Sequence, residues 1–404
     1  MRQYSCVAHV LGCVLLGFVG AASSSAQSVE ARFSTEKTEY LVGEPVFVSL
    51  TISNKTAEPL WLEFQPPNLF LCGDFIVEVP GAAPADERRG CGFAGSCGRG
   101  LREVPPGRST ILRQLVNQQY RLRQGAYSLH AQTSIVVRKQ NLFDAPKMDQ
   151  LSVSDTLRID VRPGHGDELE SAFRPIVTQL NSLDLTRRAD AAAAVSELAP
   201  PFLEDVLIEL TKTQFAHSAI AALRKADTPK TRAALAQIAL GGEDLMLRIE
   251  AIQNLGRTKD EAYLPTLFQL MGLDNNAIQN AAAVAAGTLG GATAVPRLSA
   301  FINARNGSAR IAGTEGLGRT HAREAVPILI GLLLDSDSNV RQSAMSSLFL
   351  LTHYVAFDAN KWADISTAES AASVHQRWVR WWESHWSTCE IHGMADCASP
   401  QPLD

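Results

Sequence analysis

The chain has 404 residues, of which 46% are hydrophobic and 20% are charged, and its formal net charge is −5. This length and composition are typical of a globular protein with two or three domains, and they exclude a largely disordered chain. Neither half of the chain is strongly basic, which disfavours a nucleic-acid partner.

The first 26 residues have the pattern of a secretory signal peptide. Arg2 precedes a mostly apolar run from Val7 to Gly20, and small residues lead up to Ala26, the predicted cleavage site. The run is too short to span a membrane comfortably, and an uncleaved anchor is the alternative. We therefore expect an exported protein, periplasmic or extracellular, with no transmembrane anchor after cleavage.

Five of the seven cysteines follow the predicted signal, at Cys72, Cys91, Cys97, Cys389 and Cys397. Close cysteine pairs in an exported protein are expected to oxidise. The spacing favours a disulfide between Cys389 and Cys397. The pairing of the other three stays open.

Residues 27–163 have the pattern of a β-rich domain. Between positions 46 and 52, Val46, Val48, Leu50 and Ile52 alternate with Phe47, Ser49 and Thr51, which predicts a half-buried strand. Further strands are predicted in PLWLEF, FIVEV, STILRQLV, GAYSLHAQTSIVV and TLRIDV. Several short strands separated by turns indicate an all-β sandwich.

Two phrases in this region, YLVGEPVFVSLTISN and PPG…YRLRQGAYSLHA, resemble bacterial immunoglobulin-like domains of the macroglobulin or proteinase-inhibitor-like type. The resemblance implies an immunoglobulin-like sandwich in which the hydroxyl of Tyr127 bonds back to the backbone as a tyrosine corner. It also implies proteinase inhibition as one alternative function, by fold analogy alone.

From about residue 165 the sequence becomes rich in alanine and leucine, and it repeats with a period of 31 residues in three or four clear units between residues 243 and 355, with one or two degenerate units before them. Pro265, Pro296 and Pro327 occupy one slot, and Gly256, Gly287 and Gly318 occupy another. Asp or Asn precedes each predicted second helix as a cap, at Asp244, Asn275, Asn306 and Asp337. The proline slot predicts the start of the next helix, and the glycine slot predicts a helix end or turn. Each unit is a helical hairpin that must stack on its neighbours.

LRIEAIQNLGRTKDEAYLP and ARIAGTEGLGRTHAREAVPILIGLLLDSDSNVRQSA resemble HEAT repeats of the phycobilin-lyase-like class. The resemblance implies an all-α HEAT-repeat solenoid over residues 164–356. HEAT arrays often carry an Asp six residues before the repeated Arg. Only Asp335 and Arg341 keep that spacing here, so we do not expect a continuous Asp–Arg ladder.

Two enzyme classes share this type of repeat. Deoxyhypusine hydroxylase-like proteins bind two irons through His-Glu pairs, and no His-Glu dipeptide occurs in this chain. Phycobilin lyases act in the cytoplasm, which does not fit an exported protein. We find no catalytic motif and predict a non-enzymatic protein without a cofactor.

The second helix of each unit lines the concave wall of a HEAT solenoid. Its outward slots hold candidate partner-binding residues: Glu250, Gln253, Asn254, Arg257, Ala281, Val284, Ala285, Glu315 and Arg319. Small residues would let another protein or peptide approach closely, with flanking charges setting its register. The alternative is that the alanines pack against a neighbouring helix.

Four of the six tryptophans lie in RWVRWWESHW, residues 377–386. Trp378, Trp381, Trp382 and Trp386 form one helical stripe. We predict that residues 357–404 contain a capping helix that closes the solenoid with these rings, followed by a cysteine-containing tail. A sugar-stacking platform is the alternative.

The tail also raises a metal-binding alternative. His385, Cys389, His392 and Cys397 are possible zinc ligands, although their spacing matches no common zinc finger. The prediction from the sequence is thus an exported, two-domain scaffold that binds a protein or peptide along its solenoid. A metal protein or enzyme that uses the Cys/His tail is the alternative.

Overall fold

A computed structural model describes residues 29–64, 74–85, 101–142, 147–303, 307–352 and 365–385. Within these ranges, eleven β-strands precede thirteen α-helices. None of the helices in the described ranges is both long enough and apolar enough to cross a membrane. The predicted signal peptide and all seven cysteines lie outside these residues, including Cys389 and Cys397.

The strand region contains most of the strands that the alternation predicts. The strands are β1 Val29–Thr35, β2 Glu39–Leu41, β3 Phe47–Asn54, β4 Leu60–Phe64, β5 Ile76–Glu78, β6 Ala83–Pro84, β7 Arg102–Val104, β8 Ser109–Leu115, β9 Tyr120–Arg121, β10 Gly125–Arg138 and β11 Lys147–Arg162.

Two sheets share one apolar core. One sheet has the order β1-β3-β8, and the other has the order β2-β11-β10-β4-β7 with β5 also paired to β10. Leu50 and Ile52 from the first sheet and Leu129 and Ile135 from the second are fully buried in the same cluster. The prediction that one face of β3 is buried is confirmed, because side chains alternate across a strand.

Tyr127, near the start of β10, forms the predicted backbone tie. Its hydroxyl accepts a hydrogen bond from the amide of Arg123 and donates one to the carbonyl of the same residue, both at 3.1 Å. The hydroxyl thereby fixes the chain just before β10, whose first residue, Gly125, has a φ of +149°.

Three residues connect β11 to the helical region. The helices are α1 Gly166–Gln179, α2 Leu185–Leu198, α3 Glu204–Leu210, α4 Ala216–Ala226, α5 Pro229–Gly241, α6 Leu245–Leu255, α7 Leu264–Met271, α8 Asn276–Gly290, α9 Val295–Asn303, α10 Gly307–Arg319, α11 Ala325–Leu332, α12 Ser338–Thr352 and α13 Ala368–His385.

The caps and prolines of the repeat fall where the sequence predicts them. The Asp244 carboxylate accepts the amide of Met246 at 2.7 Å, and the Asn275 side chain accepts the amide of Ile278 at 3.1 Å. Pro265 lies in the first turn of α7, where a missing N–H costs little. The predicted cap Asn306 lies outside the described residues.

The helices form two layers. The inner layer consists of α4, α6, α8, α10 and α12, which pack directly on one another, whereas neighbouring outer helices among α5, α7, α9 and α11 make fewer contacts. A stack that is tighter on one side is expected to curve toward that side, which would place the inner layer on the concave face.

Small residues allow the inner helices to approach at backbone distance. A Cβ on Gly287 would lie 2.0 Å from the carbonyl oxygen of Gly316, and one on Gly316 would lie 2.6 Å from the carbonyl oxygen of Ala283. The prediction that the glycine slot marks helix ends is confirmed, because Gly256 follows α6 directly and Gly287 and Gly318 lie in the last turns of α8 and α10. At Gly287 and Gly318 the neighbouring helix also leaves no room for a side chain.

The tryptophan helix α13 packs on the outer helix α11. Trp378 is fully buried, Trp381 is 4% exposed, and their rings meet edge to face with centroids 5.5 Å apart. The guanidinium of Arg323 lies 5.5 Å from the centroid of the half-buried Trp382. Trp378 and Trp381 thus belong to the apolar core, as the predicted capping role of this helix requires. Trp386 lies outside the described residues.

The outer face of β3 and β8 meets the solenoid. Phe47 and Leu115 form a small apolar cluster with Ala194 of α2, against which Ile176 of α1 packs. The Arg113 guanidinium lies 4.1 Å from the centroid of the Phe47 ring. The two regions are therefore in direct contact through apolar side chains.

Candidate partner-binding groove

An open groove runs across three inner helices, α8, α10 and α12. Its volume is about 450 Å³. Half-buried aliphatic side chains and polar side chains line it together: Val284, Ile311, Glu315, Arg319, Asn339, Gln342, Ser343, Ser346, Ser347 and Leu350. The mixture offers both apolar contact and hydrogen bonding to a bound chain.

Three of the residues predicted from the sequence line this groove. Val284 is half-buried on α8, and Glu315 and Arg319 are exposed one turn apart on α10. Gln253 and Arg257 are exposed in the corresponding slots of the preceding unit. These five residues share the surface of the inner layer because the 31-residue period keeps each slot on the same side of the stack.

Glu250 and Asn254 interact with helix α4. The carboxylate of Glu250 lies 2.9 Å from the imidazole Nδ1 of His217. Asn254 is 8% exposed, and its side-chain oxygen accepts a hydrogen bond from Arg224 Nε at 3.2 Å. Both residues therefore join neighbouring helices in the structure.

The two predicted alanines are buried. Ala281 is 9% exposed and Ala285 is 3% exposed. A Cβ placed on Gly256 would lie 2.6 Å from the Cα of Ala285, so Ala285 faces the end of α6. This arrangement fits the alternative interpretation, in which the small residues pack against a neighbouring helix and are not available to a partner.

Sequence reasoning missed the contribution of α12. Ser343, Ser346 and Leu350 line the groove, and they lie 31 residues after Ala312, Glu315 and Arg319. The 31-residue period therefore identifies them in the sequence as the next members of the same slots.

The repeated arginine slot is structural. Arg248 donates to the carbonyls of Ala239 and Leu240 at 3.1 and 3.2 Å. Arg310 binds the Asp335 carboxylate through two hydrogen bonds of 3.0 Å, which raise the pKa of Arg310. Asp335 therefore pairs with the arginine of the preceding unit.

The HEAT-repeat spacing pairs Asp335 with Arg341. The Arg341 guanidinium donates instead to the backbone carbonyl of Asp335 and to that of Ile365, both at 2.8 Å. Asp335 and Arg341 are thus joined through the backbone rather than through an ion pair.

Two pKa shifts that are caused chiefly by burial occur far from the groove. Burial raises the pKa of the Tyr40 hydroxyl to about 12. Burial also raises the pKa of the Asp190 carboxyl on α2, and the Arg113 guanidinium opposes that shift. These groups belong to the strand region and to its contact with the solenoid.

No cluster of three or more potential metal ligands occurs among the described residues. Of the four residues predicted as possible zinc ligands, only His385 is described. Its ring stacks on Trp381 with centroids 5.3 Å apart, and its Nδ1 lies 2.9 Å from the Trp381 carbonyl. His392 and the cysteines of that set lie outside the described residues.

A family model described as HEAT repeats matches residues 232–312. No curated protein matches the chain. Among solved structures, the CpcE–CpcF complex of phycocyanin lyase from Nostoc sp. PCC7120 is 20% identical, with a TM-score of 0.32, and the match covers 54% of this chain and 96% of that one.

Human deoxyhypusine hydroxylase in complex with glycerol is 19% identical, with a TM-score of 0.27, over 46% of this chain and 75% of that chain. Escherichia coli alpha-2-macroglobulin activated by porcine elastase is 14% identical, with a TM-score of 0.19, over 87% and 37%. The family match over residues 232–312 and the stacked helical hairpins support the presence of HEAT repeats in the helical region.

Proposed function

We propose that this protein is an exported, non-enzymatic scaffold that binds another protein or peptide in the groove across α8, α10 and α12. The observation that carries the proposal is the groove itself, where aliphatic and polar side chains remain accessible on the concave side of a HEAT-repeat solenoid. Solenoids use such extended concave surfaces to bind other proteins.

The composition of the groove fits a polypeptide partner. Val284, Ile311 and Leu350 provide apolar contacts, while Gln342 and Ser346 provide hydrogen-bonding groups beside them. A bound chain needs both, because its apolar side chains gain from burial and its backbone must keep its hydrogen bonds. Such binding requires no cofactor.

We assign the strand region to the immunoglobulin-like sandwich class on two supporting observations. The two sheets share one core, and Tyr127 makes the backbone tie that the resemblance implies. The pattern of residues 1–26 supports export. In this proposal the sandwich, in contact with α1 and α2, holds the first end of the solenoid.

The test fills the groove without disturbing the core. Ser346 is exposed, and its hydroxyl bonds only the carbonyl of Gln342 within the described chain. The full chain and its Ser346→Trp variant serve as baits in an envelope fraction of the source organism. Ser373→Trp, an exposed serine on α13, is the matched control.

We expect a discrete partner on the wild type and on Ser373→Trp, with at least a tenfold loss on Ser346→Trp, because an indole fills the space that the partner occupies. Circular dichroism checks that both variants fold. Equal capture by all three baits, or no capture by any of them, would reject the groove as the binding site.

A further inference from the structure

The inner layer carries two repeated arginine positions, which differ in whether the arginine has a partner within the described chain. The first slot, at positions 248, 310 and 341, is occupied by arginines that bind carbonyls or Asp335. The second slot holds Arg257 and Arg319, which are exposed. Neither side chain has a hydrogen bond, ion pair or ring contact with another part of the chain that the structure describes.

Arg319 lines the groove, and Arg257 holds the same slot two repeats earlier. The intervening slot holds the exposed Thr288. In these slots of α6, α8 and α10, Arg257 and Arg319 are therefore two positive side chains without a partner in the described residues. Glu315 is a negative side chain that also has no partner there. The other acid in these slots, Glu250, already lies 2.9 Å from His217. Among the charges of these slots that have no partner in the described residues, the positive ones therefore outnumber the negative one by two to one.

The geometry points to an extended acidic polypeptide as the occupant, and we propose that Arg257 and Arg319 bind two carboxylates of one such segment. Guanidinium groups form bidentate pairs with carboxylates, and two anchors on a rigid stack also fix the register of the bound chain. This inference rests on the groove function proposed above and specifies the chemistry of its partner.

The repeat sets the spacing between the two carboxylates. Helices pack about 8–10 Å apart, so two repeat steps place the arginines about 16–20 Å apart. An extended chain advances about 3.3 Å per residue, which corresponds to five or six residues. The preferred segment therefore carries acidic residues separated by about five or six positions.

Glu315 sharpens the prediction because its charge has the opposite sign. It lies one turn before Arg319 in the groove, and it repels an acidic segment. Replacing it with Gln should therefore strengthen binding, while replacing either arginine should weaken binding. A merely structural effect of these exposed positions would not reverse sign with charge.

The experiment measures fluorescence anisotropy of the full chain with two labelled twelve-residue peptides. One contains two Glu residues six positions apart among Ser, Thr and Val, and the other has Gln in place of both. The protein variants are Arg257→Gln, Arg319→Gln and Glu315→Gln. Arg297→Gln is the control, since Arg297 is exposed on the outer helix α9 and its loss changes net charge equally.

We expect the Glu peptide to bind more tightly than the Gln peptide, with an affinity that falls as salt screens the charges. Arg257→Gln and Arg319→Gln should each weaken binding about fivefold, and Glu315→Gln should strengthen it about twofold. Arg297→Gln should leave it unchanged.

Equal binding of the two peptides, equal effects of all three arginine variants, or no binding of the Glu peptide would each overturn the acidic-partner proposal. Envelope capture that is sensitive to Ser346→Trp but insensitive to both Arg257→Gln and Arg319→Gln would keep the groove function while rejecting this chemistry. Loss of the groove function itself appears separately, as equal capture by wild type and Ser346→Trp.

Discussion

The inner and outer helix layers of the solenoid are stabilised in opposite ways. In the inner layer, glycine and alanine bring backbones together, as between Gly287 of α8 and Gly316 of α10. In the outer layer, bulky side chains fill the space between helices, ending with Trp378 and Trp381 of α13 against α11. The difference in side-chain size therefore lets the inner helices pack more closely on one another than the outer helices do.

The comparison also separates packing from binding on the concave face. The small residues of α8 pack against neighbouring helices, so Ala281 and Ala285 are buried. The side chains left accessible are polar or aliphatic ones in the intervening slots, such as Glu315 and Ser346. A bound partner would therefore contact the side chains that lie between the residues used for helix–helix packing.

The largest effect is expected from removing bulk in the outer layer. Trp378→Ala deletes a fully buried ring and should lower the free energy of unfolding by about 4 kcal/mol. Trp382→Ala is the control, and since Trp382 is only half-buried it should cost about 1–2 kcal/mol. Urea denaturation followed by circular dichroism measures both. Equal losses would contradict the capping role of the buried ring.

Adding one methyl group to the inner layer should have the next largest effect. Gly287→Ala places a Cβ against the Gly316 carbonyl and should destabilise the fold by about 3 kcal/mol. The same change at Gly331 in outer helix α11 meets nothing within 4 Å and should stabilise by about 0.5–1 kcal/mol through helix propensity. If both substitutions destabilised the fold, or both stabilised it, the proposed difference in packing between the inner and outer layers would be wrong.

The two arginine slots should differ in stability. Arg310→Met leaves the partly buried Asp335 without its two hydrogen bonds and should cost about 2 kcal/mol. Arg319→Met should change stability by less than about 0.5 kcal/mol, because its side chain has no partner in the described chain. Thermal unfolding of the two variants compares the slots. A large loss for Arg319→Met would show that this arginine is structural.

The smallest effect lies outside both layers, where α2 meets the strand region. The pKa of Asp190 is raised above its ordinary value of 3.8 by burial, with Arg113 opposing and Asp184 and Glu36 adding to the shift. The folded protein therefore binds this proton more readily than the unfolded chain, and stability falls as the pH rises from 3.8 through the raised pKa.

Asp190→Asn removes the titrating group. As the pH rises through that window, the free energy of unfolding of this variant should therefore increase relative to that of the wild type, by less than about 1 kcal/mol. Arg113 keeps its ion pair with Glu36 in this variant. Urea unfolding at pH 4, 5.5 and 7 measures the difference. A variant that instead loses stability relative to the wild type as the pH rises would show that the 3.6 Å contact with Arg113 outweighs the cost of burial.

Features set by local sequence could be predicted, and features set between helices could not. The caps Asp244 and Asn275 and the first-turn Pro265 follow from backbone groups a few residues away. The tie from Tyr127 to Arg123 is similarly local. Each of these depends on chain positions that the repeat pattern or a short motif already specifies.

The role of Gly287 depends on another helix 29 residues away, Gly316. Arg310 and Asp335 pair across 25 residues, whereas the motif had suggested Asp335 with Arg341. A single sequence shows which slots repeat but not which slots of adjacent units touch. For the same reason it could not separate buried Ala285 from half-buried Val284 in the groove.

The central claim is that a polypeptide partner occupies the groove across α8, α10 and α12. Photo-crosslinking in the source organism tests it directly, with p-benzoylphenylalanine placed at position 346 in the groove or at position 373 on α13. We expect a discrete covalent product from position 346 on illumination and none from position 373. No product from position 346, or the same products from both positions, would contradict it.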